Sequence, residues 1–428
     1  MQQVLDHIKE EEIVKLCCDL VDIPSLTGHE KQVGEFVVAW LRGNGIKAIG
    51  QDLGGERMNA VGIIEGTGGG PSLQFNGHMD TNYSGNDDDL TYMSRELFDR
   101  PEHTKKSFVR NGRIYGVGVG NMKAGLAAML SAIKAIKKSG ISLKGDVVVS
   151  GVAGENGGAP VAQYQGVRYE GTGFGTAQLL SRGIHTDYAI CADNSNLKMT
   201  TVSPGVVLLR ITVNSLPGGA WATAASGRED SQNAIIKMMP VIDAFEKWSA
   251  EFSERERYVC DGGELTPTAH ICHIESGRPY NMAVRPGVCA MSCLVYIPPG
   301  RKPVEVANDV RAAIRAANVD ADVEIYRANQ GYEAQGVSGL VKILREQRQK
   351  LFDSALEICD PPYCGPWTDT ALYNERGIPC VKLGVGLSAA ERLKVGIEAY
   401  DEHPIEDIVK ATKLFALTAV EVCSREAI

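Results

Sequence analysis

Leu73-Gln74-Phe75-Asn76-Gly77-His78-Met79-Asp80-Thr81 reads as a short apolar strand that delivers a histidine and, two residues on, an aspartate. A strand end presents an imidazole rigidly, and a carboxylate beside it can fix the tautomer, leaving the other ring nitrogen for a metal. By itself a His-x-Asp after a strand also suits a surface cap. What decides is what other segments bring to His78.

Working outward, the same pattern recurs. Asp146–Val152 is a β-branched run of the kind buried in parallel sheets, and it ends in Ala153-Gly154-Glu155-Asn156. Asp187–Asp193 is another apolar run that ends in an acid. In an open parallel sheet the carboxyl ends of the strands line one crevice, and ligands bind there. The recurrence favours a metal site over a cap. Between these runs lies Gly116-Val117-Gly118-Val119-Gly120-Asn121-Met122-Lys123, followed by a helical pattern to Lys138. It lacks the Lys-Ser/Thr of a phosphate loop and the spacing of a dinucleotide fingerprint. Asn121 is left at a helix start, where it can cap the helix or face a cleft. Residues 83–110 form a long loop with the acidic run Asp87-Asp88-Asp89, expected as solvated surface and, by its length, a candidate lid.

Upstream, residues 4–22 and 27–41 carry helical spacing, and strands are expected at 61–65 and 72–76. Downstream the texture changes. Strand (206–213), helix (231–252), strands (268–275 and 288–297), helix (304–317) and strand (320–326) give a β-α-β-β-α-β order, a split-βαβ module. A helix (341–358), a strand (380–383) and a last helix to about 422 then resume the α/β pattern. The expected fold is α/β with a mostly parallel central sheet, domain one being 1–203 with 327–428 and the inserted, ferredoxin-like domain 204–326.

A 428-residue chain with 44% hydrophobic and 23% charged residues is ordinary for a globular protein with more than one domain. The net charge of −9, with no basic stripe, argues against nucleic acid, and no apolar run is long enough to span a bilayer. The 11 cysteines are scattered, with no Cys-x-x-Cys, as expected of reduced thiols in a cytoplasmic protein. The first fifteen residues alternate charged and apolar residues, as an amphipathic helix does and a signal peptide does not.

Taken together, the strand-end motifs and the inserted module resemble the metal-dependent amidohydrolases and exopeptidases that include acetylornithine deacetylase, succinyl-diaminopimelate desuccinylase and glutamate carboxypeptidase. The resemblance spans the chain. It implies a zinc-peptidase-like catalytic domain, a lid that pairs two chains into at least a dimer, and divalent metal. Carried onto this sequence, it makes His78 a metal ligand, Asp80 the residue that orients it, Glu155 the general acid/base and Asp193 a further ligand. Departures accompany the match: the bridging aspartate is Asn121, the second acid of a Glu-Glu pair is Asn156, and the late metal histidine is Glu398. The lid histidine falls near Ala220-Trp221.

With these carboxylates replaced, one divalent transition metal per chain is expected, held by His78, Asn121 and Asp193, with Asn156 and Glu398 as weaker contacts. Such donors suit Mn, Fe, Co or Zn. Amide hydrolysis draws on the lost supports, because charge develops on the carbonyl oxygen. Nucleophilic aromatic substitution by a metal-activated water sends charge into the ring instead. The chain is similar in its asparagine-bearing motifs to a member of the family that converts 5-nitroanthranilate to 5-nitrosalicylate and ammonia, and that deamination is the first expectation. The alternatives are an amidohydrolase or dipeptidase acting on N-acyl amino acids or small peptides, and a non-catalytic homologue retained for binding or assembly. Arg210, Arg278 and Arg285 are candidates to hold a substrate carboxylate. Trp221 can stack on a ring or sit in a core, and Asn281 matches a lid residue that contacts substrate in the resembling family.

Overall fold

A computed structural model describes residues 1–91, 93–222, 232–359, 367–387 and 401–428. After a helical turn at Gln2–Leu5, a helix runs over α1 (Glu10–Val21). The continuous helix expected over 4–22 is thus interrupted, and Glu10, Glu11 and Glu12 supply the acidic first turn that favours a fresh helix start. In chain order there follow α2 (Lys31–Gly43), β1 (Lys47–Gly54), β2 (Arg57–Ile64), β3 (Leu73–His78), α3 (Ala124–Ser139), β4 (Val147–Val152), α4 (Phe174–Ser181), β5 (Tyr188–Cys191) and β6 (Met199–Thr200). Next come β7 (Gly205–Asn214), α5 (Ala234–Arg255), β8 (Thr268–Ser276), β9 (Val288–Ile297), α6 (Pro303–Ala316) and β10 (Asp322–Asn329). The chain closes with α7 (Ser338–Phe352), α8 (Thr370–Glu375), β11 (Cys380–Leu383) and α9 (Ile405–Cys423).

Two compact units result. One comprises Met1–Val202, Asp261–Gly263 and Glu333–Ile428; the other comprises Ser203–Cys260 and Glu264–Tyr332. The first is built on a seven-stranded sheet of order β1-β2-β4-β3-β5-β11-β6. The inner strands β4, β3, β5 and β11 are parallel, while the edge pairings β1–β2, β2–β4 and β11–β6 are antiparallel. All six residues of β3 are buried, as a strand flanked on both sides and both faces requires. Alternation along β4 divides the two faces. Val147 and Val149 join Leu73 and Phe75 in the main core, whereas Val148 and Val152 pack with Val61 and Leu179 on the opposite face. Phe75 meets Phe415 of α9 with ring centroids 5.1 Å apart. Burying such a side chain contributes about 1.5–3 kcal/mol.

Register sets the position of the site. His78 pairs with Val152, and Asn76 pairs with Cys191. The residues just beyond these pairs, Asp80, Glu155 and Asp193, therefore emerge at the same end of the parallel strands.

The second unit is a four-stranded antiparallel sheet of order β8-β9-β7-β10. Counted along the module, that order is second, third, first, fourth, the ferredoxin-like arrangement. Val207, Leu209, Ile211 and Val213 of β7 face a separate core with Phe245, Trp248 and Phe252 of α5. No described helix is long and apolar enough to cross a membrane.

Candidate active site

His78 is 1% exposed at the tip of β3. Its Nδ1 makes a 2.9 Å hydrogen bond with the main-chain oxygen of Asp80, and the Asp80 carboxylate Oδ1 stands 3.5 Å away. Backbone and carboxylate of one residue thus aim the ring together. The other nitrogen, Nε2, faces Asn121 Oδ1 at 3.2 Å and Glu155 Oε2 at 3.7 Å.

The Asp80 carboxylate has a second task. It accepts the main-chain N–H of Glu155 at Oδ1 (3.1 Å) and that of Asn156 at Oδ2 (3.2 Å). The side-chain amide of Asn156 adds donations to Asp80 Oδ2 (3.0 Å) and to its main-chain oxygen (3.2 Å), and the Thr27 hydroxyl donates to Oδ2 at 2.8 Å. Asn156, expected as a weak ligand, thus turns its amide group onto Asp80. Burial works to raise the Asp80 pKa, but the imidazole of His78, the Thr27 hydroxyl and the Glu155 N–H outweigh it and hold the carboxyl well below its usual range.

Asn121 lies in an irregular turn ahead of α3. Gly118 opens that turn in the left-handed region with φ 79°, where a side chain would also collide with Thr81. The Asn121 amide oxygen also accepts Asn194 Nδ2 at 2.9 Å. Asp193, half-buried beyond β5, accepts the main-chain N–H of Asn194 at 2.7 Å. Its charge is felt at both His78 and Glu155.

Electrostatically, the cluster demands positive charge. Burial pulls the imidazolium of His78 down, yet its hydrogen bond to Asp80 and the charges of Glu155, Asp80 and Asp193 prevail and raise its pKa well above the usual value. Glu155 is raised well above the ordinary carboxylate range, first by burial and then by the charges of Asp193, Asp369 and Asp80, against the pull of His78. Among the described residues no three His, Cys, Asp or Glu side chains stand as a ready-made metal cluster. Around His78 Nε2 the polar groups are the amide oxygen of Asn121 and the carboxyl of Glu155, with the charge of Asp193 nearby. Glu398 lies outside the described residues.

Asp369 was not among the expected site residues. Its Oδ2 accepts the Thr176 hydroxyl (2.6 Å) and Asn76 Nδ2 (3.1 Å), while Oδ1 is buried with no partner among the described residues. Burial pushes its pKa up to about 6. Asn194 was missed as well; a polar residue following an acid at a strand end was the available signal.

The acidic run departs from expectation in one residue. Asp87 and Asp88 are exposed, but Asp89 is buried. Its Oδ2 meets His103 Nε2 at 3.0 Å, and His103 Nδ1 meets Asp401 Oδ2 at 2.9 Å. Asp401 in turn accepts the N–H groups of Gly116 (2.9 Å, main-chain oxygen) and Gly118 (3.4 Å, Oδ1). The loop is fastened to the turn that carries Asn121.

The remaining candidates belong to the second unit. Arg210 is engaged across the sheet by Glu275 at 2.8 Å. Trp221 is 78% exposed, so the core placement does not hold for it. Arg278, Asn281 and Arg285 line one 380 Å³ groove with Pro217 and Gly287, and Arg285 Nε is buried with no partner among the described residues.

Residues 74–421 match the model of peptidase family M20/M25/M40. The chain is 25% identical over 459 residues to the N-formyl-4-amino-5-aminomethyl-2-methylpyrimidine deformylase of Bacillus subtilis, covering 99% of this chain and 97% of that protein. In fold it is similar to the di-peptidase Dug1p of Saccharomyces cerevisiae, with a TM-score of 0.72 at 12% identity over 99% of this chain and 98% of that one. It is also similar to the Bacillus subtilis YXEP protein, a dinuclear metal-binding peptidase (TM-score 0.61, 14% identity, 97% and 98% of the two chains). The chain belongs to peptidase family M20/M25/M40, a family of metal-dependent hydrolases that act on C–N bonds.

Proposed function

We propose that this protein hydrolyses the amide C–N bond of a small carboxylate-bearing substrate with the help of a divalent metal. The observation that carries the reading is Glu155: a carboxyl only 11% exposed, at a strand tip, 3.7 Å from His78 Nε2. A glutamate with a raised pKa can take a proton from the attacking water and return it to the leaving nitrogen. Asp80 holds the Glu155 main chain and the His78 ring at once, so proton carrier and imidazole keep their spacing.

The donor chemistry fits a cation, since carboxylates that otherwise keep a proton on His78 would accept a metal in its place. His78, Asn121 and Asp193 would hold it, with Mn, Zn, Co or Fe all compatible. One ion per chain is the expectation, because Asn121 is a neutral amide. When bound, such an ion polarises a carbonyl and lowers the pKa of water from about 15.7 toward about 7.

Arg278, Asn281 and Arg285 are proposed to receive the substrate carboxylate, with Arg285 Nε, unpaired among the described residues, supplying a donor. The exposed Trp221 is proposed to stack on the substrate. Arg210 keeps a lesser claim, since Glu275 already occupies it. Pairing of two chains through the second unit is part of the proposal.

A second reading, hydrolytic deamination of 5-nitroanthranilate, is favoured by one feature. Asn121 and Asn156 leave the centre short of carboxylates, a loss that matters less when charge flows into a ring than when it gathers on a carbonyl oxygen. The full-length similarity to a deformylase puts amide cleavage first.

The test is a panel of N-formyl, N-acetyl and N-succinyl amino acids, dipeptides and aminobenzoates, each with added Mn²⁺ or Zn²⁺. Amine release that disappears in Glu155→Gln supports the reading. Ammonia and nitrosalicylate from 5-nitroanthranilate alone would transfer the site to the second reading. A panel cleaved no faster by the parent than by Glu155→Gln would overturn both.

A further inference from the structure

Arg57 and Glu30 form an ion pair sealed from solvent, with both side chains 0% exposed. Glu30 Oε2 accepts Arg57 Nε at 2.8 Å and Oε1 accepts Nη2 at 2.6 Å, a bidentate fork. The other edge of the guanidinium donates to the main-chain oxygen of Val167 at 2.8 Å and to that of Glu170. Its plane lies over the Phe174 ring, 5.0 Å from the centroid.

This pair bonds directly to one support of Glu155 and, through Gly28, to the segment that carries the other. On one side Arg57 fastens the brace formed by residues 167–174. That brace donates to Gly154 through the N–H groups of Gly173 (3.0 Å) and Phe174 (3.1 Å), and to Asn156 through Thr172 (2.9 Å). Gly154 itself lies against the guanidinium, at φ +66°, where a side chain would collide with Arg57 Nη2. On the other side Glu30 Oε1 accepts the Gly28 N–H at 3.0 Å, and the neighbouring Thr27 donates to Asp80, which holds the N–H groups of Glu155 and Asn156.

A buried ion pair is seldom the most stable filling for such a space; an apolar pair of similar volume is often neutral or better. Its use is more readily found in what it orients. We infer that Arg57, held by Glu30, is a positioning residue that fixes the Gly154–Asn156 turn and so the reach of Glu155 toward His78. This rests on the hydrolase reading of Glu155.

Two variants test it: Arg57→Lys, which keeps the charge but loses the fork, and the paired Arg57→Met/Glu30→Met, which fills the space without charge. Hydrogen exchange at the amides of Glu155 and Asn156 is measured alongside kcat and KM on the amide that the parent cleaves fastest in the panel. The expected result is exchange at least about tenfold faster at those two amides, with central-strand amides unchanged. With it, kcat falls about 10–100-fold while KM stays within about threefold. The paired variant should lose kcat even where its melting temperature matches the parent. If it does not fold, Arg57→Lys alone decides by the same two readouts. Parental exchange and parental kcat in the variant that folds would overturn the inference. Exchange needs no substrate, so a parent that cleaves no amide sinks the hydrolase reading while the exchange result still judges the clamp.

Discussion

Glu155→Gln keeps the side-chain shape and removes the proton carrier. Turnover should fall about 10²–10⁴-fold, with metal content by elemental analysis unchanged. A variant that retains full turnover would remove Glu155 from proton transfer. Asn121 makes the complementary case. Its amide oxygen already faces His78 Nε2 at 3.2 Å, so Asn121→Asp replaces a neutral donor by an anion without moving it. Calorimetric titration with Mn²⁺ should show affinity at least about tenfold tighter, the effect of one added charge beside a cation in a partly buried site. Equal affinity would mean that Asn121 does not touch the ion. These residues were legible because each closes an apolar run or opens a helix. Asp369 and Arg57 were not, since their roles exist only through partners far along the chain: Thr176 lies 193 residues from Asp369, and Glu170 lies 113 from Arg57.

At the level of elements, the parallel strands were readable from their β-branched runs, and their register then fixed which tips meet. The edge strand β1 was missed because Lys47–Gly54 mixes exposed polar residues and glycines and carries little apolar periodicity. The acidic loop was misjudged at Asp89 for a similar reason, because its partner His103 is bound in turn to Asp401, 298 residues on. This clasp makes a pH prediction. The groups that face His103 are Asp401, Asp89 and Tyr83, whose ring lies edge-on at 5.9 Å, with the Phe98 ring at 5.5 Å. The hydrogen bond to Asp401 is the largest influence that raises the His103 pKa. A raised native pKa contributes stability that is complete below the unfolded value of about 6.5 and is lost as pH climbs through the native value. The melting temperature of His103→Gln should therefore lie further below the parent at pH 6 than at pH 9. Equal gaps at both pH values would show that the clasp carries no net charge interaction.

For the molecule as a whole, the two units own separate hydrophobic cores, so damage to one core should be felt mainly in that unit. Phe245 is fully buried in the second unit, and Phe245→Ala should cost about 3–5 kcal/mol there by denaturant unfolding. Cation affinity at the His78 centre should stay at the parental level, and a joint loss would contradict this independence. The order of elements along the chain was enough to foresee an inserted module, because β-α-β-β-α-β punctuates an otherwise α/β pattern. The bonds that hold the site together follow from folding, which brings Thr27, Arg57, Asp80 and Glu155 to one strand end. Hydrolysis at this centre requires above all that those strand tips share a cation. The decisive experiment is calorimetric titration of Zn²⁺ into the parent, His78→Ala and Asp193→Ala. One ion per parent chain is expected, with affinity at least about 100-fold weaker in each variant; parental affinity in both variants would mean that the two tips share no ion.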